Sequence, residues 1–295
     1  MHTKVLVDGS NMWYASYVAT PLDKPGGPVM IMTWKLRKVC NHYGRDNVIV
    51  CWDAGRSGRK ELDSEYKSKR NAVEGVWEDL PYMKKMLKSL GVSTAYKSGF
   101  EADDIIGSLA NKSDNPILIH SMDKDFYQLV TERIRILRPK RTIRGKEIPE
   151  KIIGETEVFE EFKCEPRKVI LLKAFKGDSS DNIPKINIRF TPKFKEQLYK
   201  ILERSSDIES FYQNIDSIES KYIDELLGFK ERASINEKLV TIITDLEVDI
   251  DRPKIEPEDF EKLCNELEIT RLKISDWISM PKEPAPPPPI QRGLF

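Results

Sequence analysis

The chain has 295 residues, 39% hydrophobic and 33% charged, with Lys+Arg and Asp+Glu both totalling 48. That size suits an α/β core with a smaller companion unit, and the composition excludes disordered, collagen-like and membrane-embedded classes. Four scattered cysteines without a CxxC pair, and only three histidines, argue against a disulfide framework or a structural zinc site. No run approaches the roughly 18 apolar residues of a membrane span, and the sequence starts directly in a strand-like run, MHTKVLVD, instead of a signal peptide; a reducing cytoplasm is therefore expected. The balanced net charge conceals two opposite segments. Residues 133–151 carry eight Lys/Arg against two Asp/Glu, and residues 205–270 carry seven against eighteen. The first could contact phosphates, or could be a solvated loop charged by chance.

In chain order, the apolar runs KVLVD (4–8), NVIVCWD (47–53) and NPILIHSMD (115–123) alternate with helical patterns over 30–43, 79–90 and 101–112. This rhythm predicts an α/β fold with a mostly parallel central sheet flanked by helices. Each run ends in an aspartate. In such sheets ligands collect beyond the carboxyl ends of the strands, so Asp8, Asp53 and Asp123 are expected on one rim. From about residue 155 the pattern turns helical, over 156–162, 167–175, 192–203, 218–227, 233–246 and 256–267. The stretch 281–290 holds six prolines, which excludes a helix or paired strand and predicts an extended tail. The expected division is an α/β domain over 1–176 with an arch at about 54–80, a helical domain over 177–279 and a proline-rich tail over 280–295.

Nine acidic residues stand at or near these element ends: Asp8 in VDGSN, Asp53 in CWDAG, Glu101, Asp103 and Asp104 in FEADDIIG, Asp123 and Asp125 in SMDKDF, and Asp178 and Asp181 in GDSSDNIP. So many carboxylates at one rim repel one another unless cations neutralise them, and the hard ions Mg²⁺ and Mn²⁺ prefer oxygen ligands. Two ions about 4 Å apart generate a hydroxide and stabilise the leaving oxygen of a phosphodiester, so phosphodiester hydrolysis is the reaction expected. Plainer readings exist for each motif alone. EADD suits a first helical turn, DSSDN an ordinary turn and cap, and Asp53 the start of a loop.

Taken in order, LVDGSN, WDAG, R-x-x-L-x-x-x-Y-K-x-x-R at 59–70, GFEADDIIG, SMDKDFYQL and KGDSSDNIP resemble the 5′-nuclease superfamily. Its members are flap endonucleases, the 5′-nuclease domains of bacterial DNA polymerases and phage RNase H enzymes. The resemblance covers residues 4–185. It implies a helical arch and a C-terminal helical, helix-turn-helix-like DNA-binding domain. It further implies a first metal around Asp8, Asp53, Glu101 and Asp103, a second around Asp123, Asp125, Asp178 and Asp181, and Asp104 behind the first set. The implied activity is a monomeric, Mg²⁺- or Mn²⁺-dependent 5′ to 3′ exonuclease and flap endonuclease, removing RNA primers and flaps from lagging-strand fragments in a bacterial cell, host- or phage-encoded. A repair or recombination flap endonuclease would share all of this. From other classes, a non-catalytic structure-specific DNA-binding module is disfavoured by the complete acidic set. A toxin-like ribonuclease is disfavoured by the arch and the helical extension.

Several groups would handle the substrate. Arg56, Arg59, Tyr66, Lys67, Lys69 and Arg70 fall in the gateway or arch region that the resemblance implies. Lys67 and Arg70, three apart, would share a helical face, grip the scissile phosphate and offset transition-state charge, or would merely be exposed. Trp77 could stack on a single-stranded base or pack the arch down. After GDSSDNIP the family continues with a glycine-rich turn whose amides hold duplex phosphate, often with a monovalent cation. Here KINIRFTPKFKEQL has no glycine, which makes Lys185, Arg189, Lys193 and Lys195 the side-chain substitutes and resembles the phage RNase H branch. In the tail, Gln291, Leu294 and Phe295 resemble the sliding-clamp-binding pattern Q-x-x-L-F, on a polyproline tether about 30 Å long. The alternative is an unstructured end with chance apolar residues.

Overall fold

The computed structural model describes residues 2–20, 26–55, 58–69, 73–143 and 145–280. Its strands are β1 (Lys4–Asp8), β2 (Val48–Cys51), β3 (Ser93–Tyr96), β4 (Ile117–His120), β5 (Ile134–Arg138), β6 (Arg141–Ile143), β7 (Lys146–Ile148), β8 (Lys151–Ile153) and β9 (Asp249–Asp251). The continuous apolar runs become central parallel strands because both of their faces are covered. Val5 and Val7 of β1 face one core with Val48 and Val50, while Leu6 faces the other with Ile117 and Ile119, the alternation a strand imposes. Among the described residues seven strands form one sheet in the order β8-β5-β4-β1-β2-β3-β9. The central five run parallel, and β8 and β9 close the two edges antiparallel. A separate β6–β7 hairpin lies outside it.

The helices are α1 (Gly9–Tyr17), α2 (Gly27–Tyr43), α3 (Arg59–Leu62), α4 (Leu80–Ser89), α5 (Ala102–Lys112), α6 (Glu155–Phe162), α7 (Val169–Lys176), α8 (Pro192–Arg204), α9 (Ile208–Gln213), α10 (Ser220–Gly228), α11 (Lys230–Val240), α12 (Pro257–Glu266) and α13 (Ser275–Ile278). Residues of α1, α2, α4 and α12 share the core on one face of the sheet. On the other face α5 and α7 join the helical unit, where Phe175 packs on Phe211 with ring centroids 4.4 Å apart. Among the described residues no helix is long and apolar enough to cross a membrane.

Sheet order locates the crevice. From β1 the chain steps to β2 and β3, then returns to the other side of β1 for β4 and β5. The reversal between β1 and β4 is a topological switch point, where adjacent loops diverge and leave room for a ligand.

Four features depart from the sequence expectation. The helix expected over 233–246 ends at Val240, because the β-branched run Thr241 to Thr244 continues as extended chain. The stretch after it does not stay in a helical domain: β9 pairs with β3, and α12 packs against α4 on the α/β body. The basic stretch 133–151 is mostly strand, and Arg133 is spent donating to the Ala110 carbonyl at 2.9 Å. Between residues 58 and 79 the expected helical arch is, among the described residues, the four-residue α3 followed by turns.

Candidate active site

Each acidic motif is held by the local structure its neighbours create. Asp8 ends β1 and caps α1, accepting the Asn11 amide at 3.0 Å through Oδ1 and the Ser121 hydroxyl at 2.8 Å through Oδ2. Ser121 directly follows β4, so this bond spans the switch point. The next residue must be glycine: a Cβ on Gly9 would lie 2.7 Å from the Cys51 carbonyl, well inside contact distance. Asp53, just past β2, accepts the Ala102 amide at 2.7 Å, and so docks on the start of α5. Glu101 and Asp103 stand at that same helix start.

Across the crevice, Asp123 accepts the Asp125 amide at 2.9 Å, and its own amide donates to Ser121 Oγ at 3.0 Å. Asp178 and Asp181 lie in a turn closed by paired backbone bonds between Asp178 and Ile183 at 3.0 and 2.8 Å. Gly177 leads into this turn with φ +65°, and a Cβ there would lie 2.6 Å from the Ile183 carbonyl, so the motif tolerates only glycine. A cavity of about 840 Å³ opens here, lined by Asn11, Asp123, Asp125, Lys173, Asp178 and Lys185 among others.

The electrostatics show carboxylates crowded together. Burial pushes Asp8 up to about 7, opposed by its two hydrogen bonds and reinforced by Asp53 and Asp123. Burial likewise lifts Asp125 to about 6, with Asp123 and Asp178 adding to it and Lys173 opposing. Asp103 is raised by burial, then by Glu101 and Asp53 against the pull of Lys67. Asp178 goes the other way: burial alone would raise it, but Ser180 and Lys173 hold it below the usual carboxylate range.

Two ammonium groups stand inside the acidic rim. Lys67 Nζ lies 2.6 Å from Glu101 and 3.9 Å from Asp181, and its backbone amide donates to the Asp181 carbonyl at 2.8 Å. Burial disfavours the Lys67 charge, yet Asp103, Tyr66, Glu101 and Asp181 together more than restore it. Lys173 bridges Asp125 and Asp178, 3.1 Å from the latter. It was not among the sequence candidates. The available signal was a lysine on an apolar helix five residues before Asp178, with Gly177 ending the helix between them.

Other assignments are corrected. Asp104 is 1% exposed and Arg59 7%. The two form a bidentate pair at 2.7 and 2.9 Å, Asp104 also accepts the Ile243 amide at 2.9 Å, and Arg59 donates to the Thr241 carbonyl at 2.8 Å. With its oxygens so engaged Asp104 is no metal ligand, and Arg59 is no phosphate contact. Tyr66, 3% exposed, turns its hydroxyl to Glu101 at 3.4 Å, so it supports the site from beneath instead of touching nucleic acid. Lys67 is not helical: its φ is +56°, within turns spanning 64–69, so the helical face expected for it and Arg70 does not form on its side. Arg56, Arg70, Gln291, Leu294 and Phe295 lie outside the described residues.

Lys69, Lys185, Arg189 and Lys195 are exposed. Lys193 is exposed too, paired with Glu219 at 2.6 Å, and Trp77 is 45% exposed. Among the described residues no three His, Cys, Asp or Glu side chains gather as a metal-ligand set; Lys67, Lys173, Ser121 and the Ala102 amide each bind one or more of the rim carboxylates. The donor chemistry nonetheless suits hard divalent cations: oxygen donors, close enough to raise one another's proton affinity.

A family model described as 5′-3′ exonuclease, N-terminal resolvase-like domain, matches residues 3–163, and one described as 5′-3′ exonuclease, C-terminal SAM fold, matches residues 164–262. The chain is 30% identical to a 5′-3′ exonuclease of Buchnera aphidicola subsp. Schizaphis graminum, over 88% of this chain and 94% of that protein. It is 29% identical to DNA polymerase I of Bacillus subtilis over 88% of this chain but 30% of that longer protein. A solved structure of T5 5′-exonuclease with divalent zinc ions bound shares the fold, with a TM-score of 0.61 at 20% identity, covering 95% of this chain and 99% of that one.

Proposed function

The chain belongs to the 5′-3′ exonuclease family, and on that premise we propose that it is a two-metal, Mg²⁺-dependent 5′-nuclease. Its substrates are flapped or nicked DNA and RNA:DNA, cut near their 5′ ends during lagging-strand replication. The observation that carries this reading is the pairing of two acidic groups across the β1/β4 switch point, linked through the Asp8–Ser121–Asp123 hydrogen bonds. Asp8, Asp53, Glu101 and Asp103 would hold one ion, and Asp123, Asp125, Asp178 and Asp181 the other. When bound, such ions supply a nucleophilic oxygen and stabilise the leaving one.

The protein side chains position and neutralise. Lys67 stands beside Glu101 and Asp181 and offsets charge on the scissile phosphate, with Arg70 assigned to the same task. Lys173 keeps Asp125 and Asp178 from repelling the incoming polyanion. Lys185, Arg189, Lys193 and Lys195 hold the duplex backbone, Lys69 the approach to the cut, and Trp77 stacks on an unpaired base. Repair or recombination flaps are substrates of the same chemistry. The tail residues Gln291, Leu294 and Phe295 are assigned to sliding-clamp binding by a monomeric enzyme.

The test uses 5′-labelled flap, nicked, single-stranded and RNA:DNA substrates with and without Mg²⁺, and maps products by length. Short 5′ products that appear only with Mg²⁺ support the proposal. Cleavage in EDTA, or cuts distributed along the strand without regard to the 5′ end, would overturn it.

A further inference from the structure

On the far side of β1 from the Asp123–Asp178 cavity lies a second one, of about 380 Å³, at the carboxyl ends of β2 and β3. Its lining takes Lys84, Lys85 and Lys88 from α4, Trp52 and Asp53 from just past β2, Tyr96 from β3 and Asp251 from β9. Lys84 and Lys88 are one helical turn apart, so their ammonium groups can reach the same anion. Among the described residues none of the three lysines is in an ion pair. Lys84 Nζ lies 5.6 Å from the centre of the Trp52 ring. Trp52 is 2% exposed, and its indole N–H has no hydrogen-bond partner among the described residues, a donor whose burial is costly unless something accepts from it. Tyr96 leaves a ring 49% exposed at the mouth.

Cations and an open aromatic ring together suit a nucleotide: phosphate for the lysines, a base face for the tyrosine. A duplex backbone offers phosphates but no free base face, so the pocket favours an unpaired strand. Placement agrees. The α4 helix follows the stretch carrying Trp77, and the two cavities flank the acidic rim on either side of β1. A strand crossing the rim would therefore meet a lysine-bearing pocket on each side of the cut.

We infer that this pocket is a subsite for an unpaired nucleotide displaced from the scissile bond, its phosphate held by Lys84 and Lys88 and its base stacked on Tyr96. The inference rests on the nuclease reading above. Fluorescence anisotropy in EDTA would compare a nicked duplex with the same duplex bearing a short 5′ single-stranded arm. The intact chain should bind the armed duplex more tightly. Lys84→Ala/Lys88→Ala should lose roughly tenfold on the armed duplex and nothing on the armless one, and Tyr96→Ala should do likewise while Tyr96→Phe retains the gain. Equal loss on both duplexes would mean ordinary backbone contact, and no loss would mean no site; either overturns the inference. Cleavage of the armless duplex in Mg²⁺ by the intact chain separates the two readings: if it cuts and the arm's contribution survives the substitutions, only the subsite falls.

Discussion

Asp103 and Asp104 are adjacent in sequence and opposite in role. One residue of helix rotates a side chain by about 100°, which carries Asp103 to the acidic rim and Asp104 into the buried pair with Arg59. The motif FEADDIIG displays both acids but cannot say which one faces inward, because the partner that decides it lies 45 residues away. Asp104→Asn should therefore cost about 3 kcal/mol in urea unfolding by leaving a buried guanidinium half-paired, while Asp103→Asn leaves the midpoint unchanged or raised. Equal midpoints for the two variants would contradict this division. Lys67→Ala should lower single-turnover cleavage at saturation roughly a hundredfold with little loss of affinity if, as proposed, it offsets charge that develops in the reaction; lost affinity at an unchanged rate would refute the role. His120, at the end of β4, is buried, and burial pulls its pKa down to about 4. The folded chain thus holds it neutral while the unfolded chain protonates below about 6.5. Its contribution is present above pH 6.5 and is lost as pH falls toward 4, by up to about 3 kcal/mol. Comparing unfolding free energies of the native chain and His120→Gln across that range isolates the effect; parallel profiles would show that none exists.

At the scale of elements, the readable ones are those that burial dictates. The runs that became β1, β2 and β4 are apolar on both faces, and α8 shows both its Thr191 cap and Pro192 at its first position. The short β3 (STAY) and β9 (DID) carry too few apolar residues to reveal a strand; β3 becomes one by pairing with β2 and β9, and β9 by pairing with β3 at the sheet edge. The extended segment after α11 has a β-branched signal in Thr241 to Thr244, but its course is fixed by distant partners. Gln128 binds the Val240 carbonyl and the Ile242 amide, both at 2.9 Å, and Asp104 binds Ile243. Just before it, buried Asn236 donates to the Ala174 and Pro184 carbonyls, both at 2.8 Å, tying α11 to α7 and to the chain beyond the Asp178 turn. Asn236→Ala should destabilise the chain by about 2 kcal/mol through those unsatisfied carbonyls. A loss under about 0.5 kcal/mol would show that the amide is not a structural tie.

Over the whole molecule, the balanced charge is segregated. Exposed cations follow the Asp178 turn at Lys185, Arg189 and Lys195, and the excess of acid falls in the helices beyond. Such an arrangement orients a polyanion toward one face and predicts binding that weakens steeply with salt. The clamp contact proposed for the tail has its own test. Deleting Gln291 to Phe295 should leave cleavage of a free flap unchanged while abolishing stimulation by a loaded clamp, because a tether raises local concentration without touching the site; equal clamp affinity for the intact and shortened chains would dismiss it. The central claim, that two acidic groups meeting at the β1/β4 crevice act together in one hydrolysis, has a direct test in single-turnover cleavage of a 5′-labelled flap at saturating Mg²⁺ by Asp103→Asn and Asp178→Asn, one from each group. Each variant should bind the flap yet cut it at least roughly a hundredfold more slowly, whereas a native rate in either one would contradict the account.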